Sequence, residues 1–311
     1  MVTDQYIRPR QLAEAIGVSE STLKRWTDRG LLPSVKTVGG HRRLPLWGII
    51  AFLRKTGQPL IQPELVGFSA PVLAPDGRSL AGSLPFFVDL LLGGHVMEAK
   101  ELTLRAYLRG HSLCDICDDL FRPAMQTIGS RWASGECDVY KEHCATQTMC
   151  RVIGRLRTSL RPPAEHDPLA LGAAPQGDPY GLSTLMAELV LLGRGWQAVN
   201  LGPNTPLRSL ARAVIDMRPR LIWLSVSAEP DTGAFVSEYE ALREAAQETR
   251  TPIAIGGRGI NDELRQALTY STYGERLKHL GAFVDTLSPR NLPAPVGVLL
   301  SPSKSDPEKI H

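Results

Sequence analysis

The chain has 311 residues, 43% of them hydrophobic and 22% charged, and a net charge of +3. This excludes a disordered or fibrous protein, and the length suits two or three domains. No apolar run approaches the roughly 18 residues of a membrane span, no secretory signal opens the chain, and five scattered cysteines fit a reducing compartment, so a cytoplasmic protein without a membrane partner is expected. The charge is uneven: residues 1–60 hold ten Lys/Arg against four Asp/Glu, while the remainder is mildly acidic, which points only the head towards a polyanion.

In chain order, residues 1–57 read as short helices around a glycine-centred hairpin. Arg10 to Ile16 suits one helix, Gly17 the turn, and Ser19 the cap of a second helix from Glu20 to about Arg29. Leu12, Val18, Leu23 and Trp26 supply a small core. The second helix then turns Ser21, Thr22, Lys24 and Arg25 outward, hydroxyls and cations suited to phosphates and base edges. In Thr37-Val-Gly-Gly-His-Arg-Arg43, Gly39-Gly40 allows a tight hairpin, since both residues tolerate positive φ, and His41, Arg42 and Arg43 line its return arm. Residues 58–83, rich in Pro and Gly, read as a linker.

From 84 to 163 the apolar residues recur at helical spacing, with breaks at Gly93-Gly94, Gly110 and Gly135, which predicts a four-helix bundle. From 164 to 300, short apolar runs beginning at Leu169, Gln197, Leu221 and Pro252 alternate with amphipathic segments. That pattern predicts a C-terminal α/β doubly wound, Rossmann-like domain. Residues 301–311 read as a disordered tail. Within the α/β part, Gly177-Asp178-Pro-Tyr180-Gly-Leu-Ser183 sits between strand and helix, where such folds bind ligands, and Ser225-Val-Ser227 and Gly256-Gly257 end strands at the same edge. The two glycines are expected to let a ligand tail approach the backbone. Asp178 reads equally as a cap for the helix that follows.

Leu23-Lys-Arg-Trp-Thr-Asp-Arg-Gly-Leu-Leu-Pro33 and the hairpin string resemble the second helix and wing of MerR-type regulators. In the bundle, Trp132 is followed after nine residues by Glu142-His143. Behind a MerR-type head, this resembles light-responsive cobalamin-binding repressors of the CarH/LitR type, over roughly residues 6–290 and including Leu201-Gly-Pro-Asn-Thr-Pro206. The resemblance implies a multidomain, non-enzymatic transcriptional regulator, read as a repressor, that binds a double-stranded DNA operator as a homo-oligomer, dimer or tetramer. It implies that Trp132, Glu142 and His143 lie over the upper face of adenosylcobalamin.

The loop departs from that pattern. Where the family has Asp-x-His-x-x-Gly, with the His below cobalt, this chain has Tyr180, a poor neutral donor, and Ala133 replaces the second family His. No protein metal ligand is therefore expected, and three readings of the body stay open. Cobalamin binds with its own base or water below the metal; the pocket takes haem or a bilin instead; or the body is a ligand-free oligomerisation module. Tyr180 is expected to pack its ring into the vacated site. A cobalamin-dependent methyltransferase-like enzyme is the competing class, and the basic wing, which such a module does not need, argues against it. Cys114-x-x-Cys117, Cys137, Cys144 and Cys150 are read as buried small hydrophobes rather than a redox or zinc site.

Overall fold

In the computed structural model the described residues are 6–68 and 79–287; the 301–311 tail, residues 288–300 and residues 69–78 of the expected linker lie outside them. The head opens with β1 (Tyr6–Ile7), α1 (Pro9–Ala15) and α2 (Glu20–Asp28). Proline at the first turn of α1 costs no hydrogen bond, and the Ser19 hydroxyl accepts the Thr22 N–H at 3.2 Å to start α2. Leu12 and Leu23 are fully buried where the two helices cross. β2 (Val35–Lys36) and β3 (Arg42–Pro45) form the wing, and β3 is the centre of a three-stranded antiparallel sheet ordered β1-β3-β2. Of the glycine pair, only Gly40 takes positive φ (77°), so one left-handed residue suffices for this turn. α3 (Leu46–Thr56) closes the head and stops at Gly57, itself left-handed.

The chain does not leave the head there. The Ile61 and Gln62 N–H groups donate to the carbonyl of Ala15 (2.7 and 3.0 Å), a short 3-10 turn follows at Pro63–Val66, and Leu60, Val66 and Phe68 are buried. Residues 58–68, expected as linker, thus extend the head's core. The high Pro and Gly content there serves turns of a packed segment.

The bundle comprises α4 (Leu80–Leu92), α5 (Val96–Leu108), α6 (Leu113–Ile116) running through one wide π turn (Cys117–Phe121) into α7 (Arg122–Ala133), and α8 (Val139–Arg157). Its three corners carry left-handed Gly94, Gly110 and Gly135. Phe87 and Phe121 stack at 5.7 Å between centroids, fully buried; such a pair adds roughly 0.5–1.5 kcal/mol beyond its area. Head and bundle share one core, and the joint is marked by Arg54 of α3. Its guanidinium lies 3.8 Å from the centre of the Tyr107 ring and donates to the His111 carbonyl at 2.9 Å.

The C-terminal domain contains β4 (Leu169–Ala173), α9 (Leu182–Leu192), β5 (Gln197–Asn200), α10 (Leu207–Met217), β6 (Leu221–Ser225), α11 (Thr232–Thr249), β7 (Ile253–Gly256), α12 (Asp262–Ala267), β8 (Thr272–Gly274) and α13 (Leu277–Leu287). The sheet is parallel throughout and ordered β5-β4-β6-β7-β8, a doubly wound arrangement. α9 and α13 cover one face over Trp196 and Trp223, while α10 and α11 cover the other. The bundle docks on the α9/α13 side. Buried Asp118, set by the π turn, accepts the Leu277 and Lys278 N–H groups (2.8 and 3.0 Å), capping α13 from another domain, while Arg157 of α8 pairs at 2.6 Å with buried Glu188 of α9.

Candidate nucleic-acid interface and sensory crevice

On the head, Ser21, Lys24 and Arg25 are exposed and Thr22 half-buried. The hydroxyls of Ser21 and Thr22 both meet the capping Ser19 hydroxyl (2.8 and 3.0 Å), so they serve the start of α2 as well as presenting a polar edge. Lys24 and Arg25 have no ion pair among the described residues. On the wing His41 is exposed, but the arginines beside it are half-buried. Arg43 donates to the carbonyl of Arg42 at 3.3 Å, and Arg42 pairs with Asp28 at the end of α2 at 2.6 Å. The three side chains therefore do not project alike.

In the α/β domain the strand order reverses between β4 and β6, so the loops after those strands border the crevice where doubly wound sheets bind ligands. Asp178, 1% exposed, does not cap α9. One carboxylate oxygen accepts the Tyr180 N–H at 2.9 Å, and the other accepts those of Ser227 and Ala228, the latter at 3.1 Å. The carboxylate joins the β4–α9 loop to the β6–α11 loop. The Ser183 and Ser227 hydroxyls meet at 2.7 Å beside it, and Ser225 is buried in register with Gly256. Asn204 ties in the third loop by accepting the Gly177 N–H at 2.8 Å.

One expectation is corrected here. Tyr180 does not pack inward: it is 49% exposed, with the Arg258 guanidinium 5.2 Å from its ring centre, and Arg258 also donates to the Ser227 carbonyl at 3.0 Å. No motif drew attention to Arg258; only its position after Gly256-Gly257 placed it near the crevice. The two glycines are also needed by the fold itself. A Cβ on Gly256 would lie 2.5 Å from the Gly274 carbonyl oxygen, and one on Gly257 (φ 115°) 2.1 Å from that of Val226. Their smallness is used by neighbouring backbone. Below them Trp223, 2% exposed, packs on Gly172 and donates its indole N–H to Thr184 at 2.9 Å.

In the bundle, Trp132 is 51% exposed near the end of α7. Glu142 ends the first turn of α8 and His143 follows it, with 3.6 Å between Glu142 Oε2 and His143 Nε2, and Thr146 donates to Glu142 at 2.9 Å. Val139 and Tyr140 are also exposed at this corner. No hydrogen bond or ion pair among the described residues joins Trp132, Glu142 or His143 to the Asp178 loops. The loops after β4, β6 and β7 hold no His, Cys or Met, and no group of three metal-ligating side chains occurs among the described residues. This donor set does not fit cobalt ligated by the protein. Cys114, Cys117 and Cys137 are buried and Cys150 partly so, but Cys144 is exposed, against expectation. Burial raises the thiol pKa of Cys114, Cys117 and Cys150. No helix among the described residues is long and apolar enough to cross a membrane.

A helix-turn-helix head joined to a helical cap and a doubly wound domain defines the class, and family comparison agrees. Residues 6–57 match the helix-turn-helix domain family and residues 87–157 the B12 binding domain family. The chain is homologous to the HTH-type transcriptional repressor CarA of Myxococcus xanthus, at 26% identity over 294 residues, 89% of this chain and 95% of that protein. It also matches the HTH-type transcriptional repressor CarH of the same organism, at 29% over 141 residues, 45% of this chain and 46% of that one. Among solved structures, the Methanosarcina barkeri monomethylamine corrinoid protein shares the fold of the body, with a TM-score of 0.52, 17% identity, and 65% of this chain and 97% of that chain covered. The curated relatives are repressors by name, not enzymes.

Proposed function

We propose that the protein is a transcriptional repressor that binds double-stranded DNA through paired heads and is controlled through its bundle and α/β body. The carrying observation is the head itself, where the second helix and wing present Lys24, Arg25 and His41 on one basic module, in a chain that aligns with 95% of a named repressor. Phosphate contacts from lysine and arginine supply most of the affinity, and a dimer matches a pseudo-palindromic operator. The body reads a tetrapyrrole, cobalamin first and haem or a bilin as alternatives, against Trp132, Glu142 and His143. A bound cobalamin supplies a light-sensitive cobalt–carbon bond. This chain contributes shape and contact to it and no lower ligand to the metal.

A second reading has its own support. The Asp178 contacts, the filled Gly256-Gly257 corner and Trp223 close the α/β edge in a way that suits a ligand-free assembly module. One experiment separates the two. The full chain is purified with hydroxocobalamin, adenosylcobalamin, haem or biliverdin supplied separately, and its absorption and retention of a duplex selected from random sequence are measured in the dark and after light. Uptake of one pigment, with a change in DNA retention, is expected. Failure to take up any of the four establishes the assembly module, and failure to select a duplex ends the repressor reading.

A further inference from the structure

We infer that Arg42 is a strut of the head rather than one of its phosphate contacts, and that Asp28 is its fixed partner; the inference rests on the DNA-binding reading above and deepens it. A phosphate is gripped by the outward nitrogens of a guanidinium fork. In Arg42 one terminal nitrogen, Nη2, lies 2.6 Å from Asp28 Oδ1, and the other, Nη1, is buried without a hydrogen-bond partner. Nη1 is thus turned away from solvent and Nη2 is taken up by Asp28, although the side chain as a whole is 31% exposed. Asp28 makes little sense without this pair. It is the last residue of α2, where the helix dipole disfavours a negative charge, and on a helix meant for DNA it repels phosphate. Arg42 faces Lys36 directly across the hairpin, and like charges so placed destabilise a strand pair. The Asp28 carboxylate offsets both penalties. It also ties the return arm of the wing to the end of the second helix, the two elements whose relative angle decides whether both reach one duplex. Arg42 is thus a positioning residue, and Lys24, Arg25 and His41 are left to meet the backbone.

The test uses the full-length chain and a duplex selected from random sequence by the wild type, with anisotropy titrations at several salt concentrations. Arg42→Ala and Asp28→Ala are each expected to weaken binding about two- to fivefold, as loss of a partly exposed ion pair implies. The double variant should be no worse than the poorer single one, and Arg42→Lys should recover part of the loss. The slope of log affinity against log salt should stay unchanged in all of these, whereas Arg25→Ala flattens it by about 0.9. Without DNA, amide exchange in the 35–45 hairpin should accelerate equally in Arg42→Ala and Asp28→Ala. A slope flattened by about one in Arg42→Ala, with Asp28→Ala binding as well as the wild type or better, would overturn the strut. So would hairpin exchange that neither variant alters, and this readout decides the matter even if no duplex is selected.

Discussion

Replacing Asp178 tests whether one carboxylate ties together the loops that border the crevice. Its oxygens take three backbone N–H groups, those of Tyr180, Ser227 and Ala228, at a site 1% exposed where water does not readily substitute. Asp178→Asn keeps a carbonyl oxygen for one side and turns an amide N–H against a backbone N–H on the other. A hydrogen bond to a charged group contributes about 1.5–3 kcal/mol, so Asn should lower local stability by about that much. Asp178→Ala should cost more, though less than three separate bonds, because they share one acceptor. In a chain of several domains a single unfolding free energy is poorly defined, so the assay is amide exchange followed by peptide. At tenfold for each 1.4 kcal/mol, the 226–229 and 178–181 peptides of Asp178→Asn should exchange roughly 10- to 150-fold faster than the wild type. The head should be unaffected. Wild-type exchange in both peptides of Asp178→Ala would refute the assignment of Asp178 as the tie between the loops.

Two further outcomes are expected. Gly257→Val places a Cβ at φ 115° and 2.1 Å from the Val226 carbonyl oxygen, so it should cost more than about 3 kcal/mol and deplete soluble protein; a well-folded variant by circular dichroism would show that β7 has room to move. With a thiol reagent near pH 7.5, one thiol should react fast, exposed Cys144. Cys114 and Cys117 should lag, because burial raises their pKa and leaves less thiolate below it. A fast phase that survives Cys144→Ser would show that a buried thiol is being exposed.

Much of the architecture is legible in the amino-acid sequence. The Ser19 cap, the Gly39-Gly40 turn and the glycine breaks at 94, 110 and 135 are local chemistry, and each element formed where that chemistry placed it. The inner strands β4, β6 and β7 showed as apolar runs because parallel strands covered on both faces need no polar alternation. β8, α12 and α13 went unread. β8 is a three-residue edge strand, only half buried, and α12 has six residues, too few for a period to emerge. α13 starts where Asp118, some 160 positions earlier, caps it from the bundle, so its boundary has no nearby signal.

The candidate site divided in the same way. Sequence alone determined the kind of protein: a basic helix-turn-helix head before a helical cap and a doubly wound domain, with no imidazole where a cobalt ligand would stand. These follow from residue identity and from periods that span a few residues. Tertiary structure decided what each polar group does. Asp178 became a tie because Ser227 and Ala228, 49 and 50 residues later, bring N–H groups to it, and Tyr180 stands half-exposed with the Arg258 guanidinium over its ring. Arg42, read from the sequence as a DNA contact, pairs with Asp28, 14 residues earlier in the chain. A charged side chain takes the nearest opposite charge or dipole in space, and which one is nearest is set only when the chain has folded.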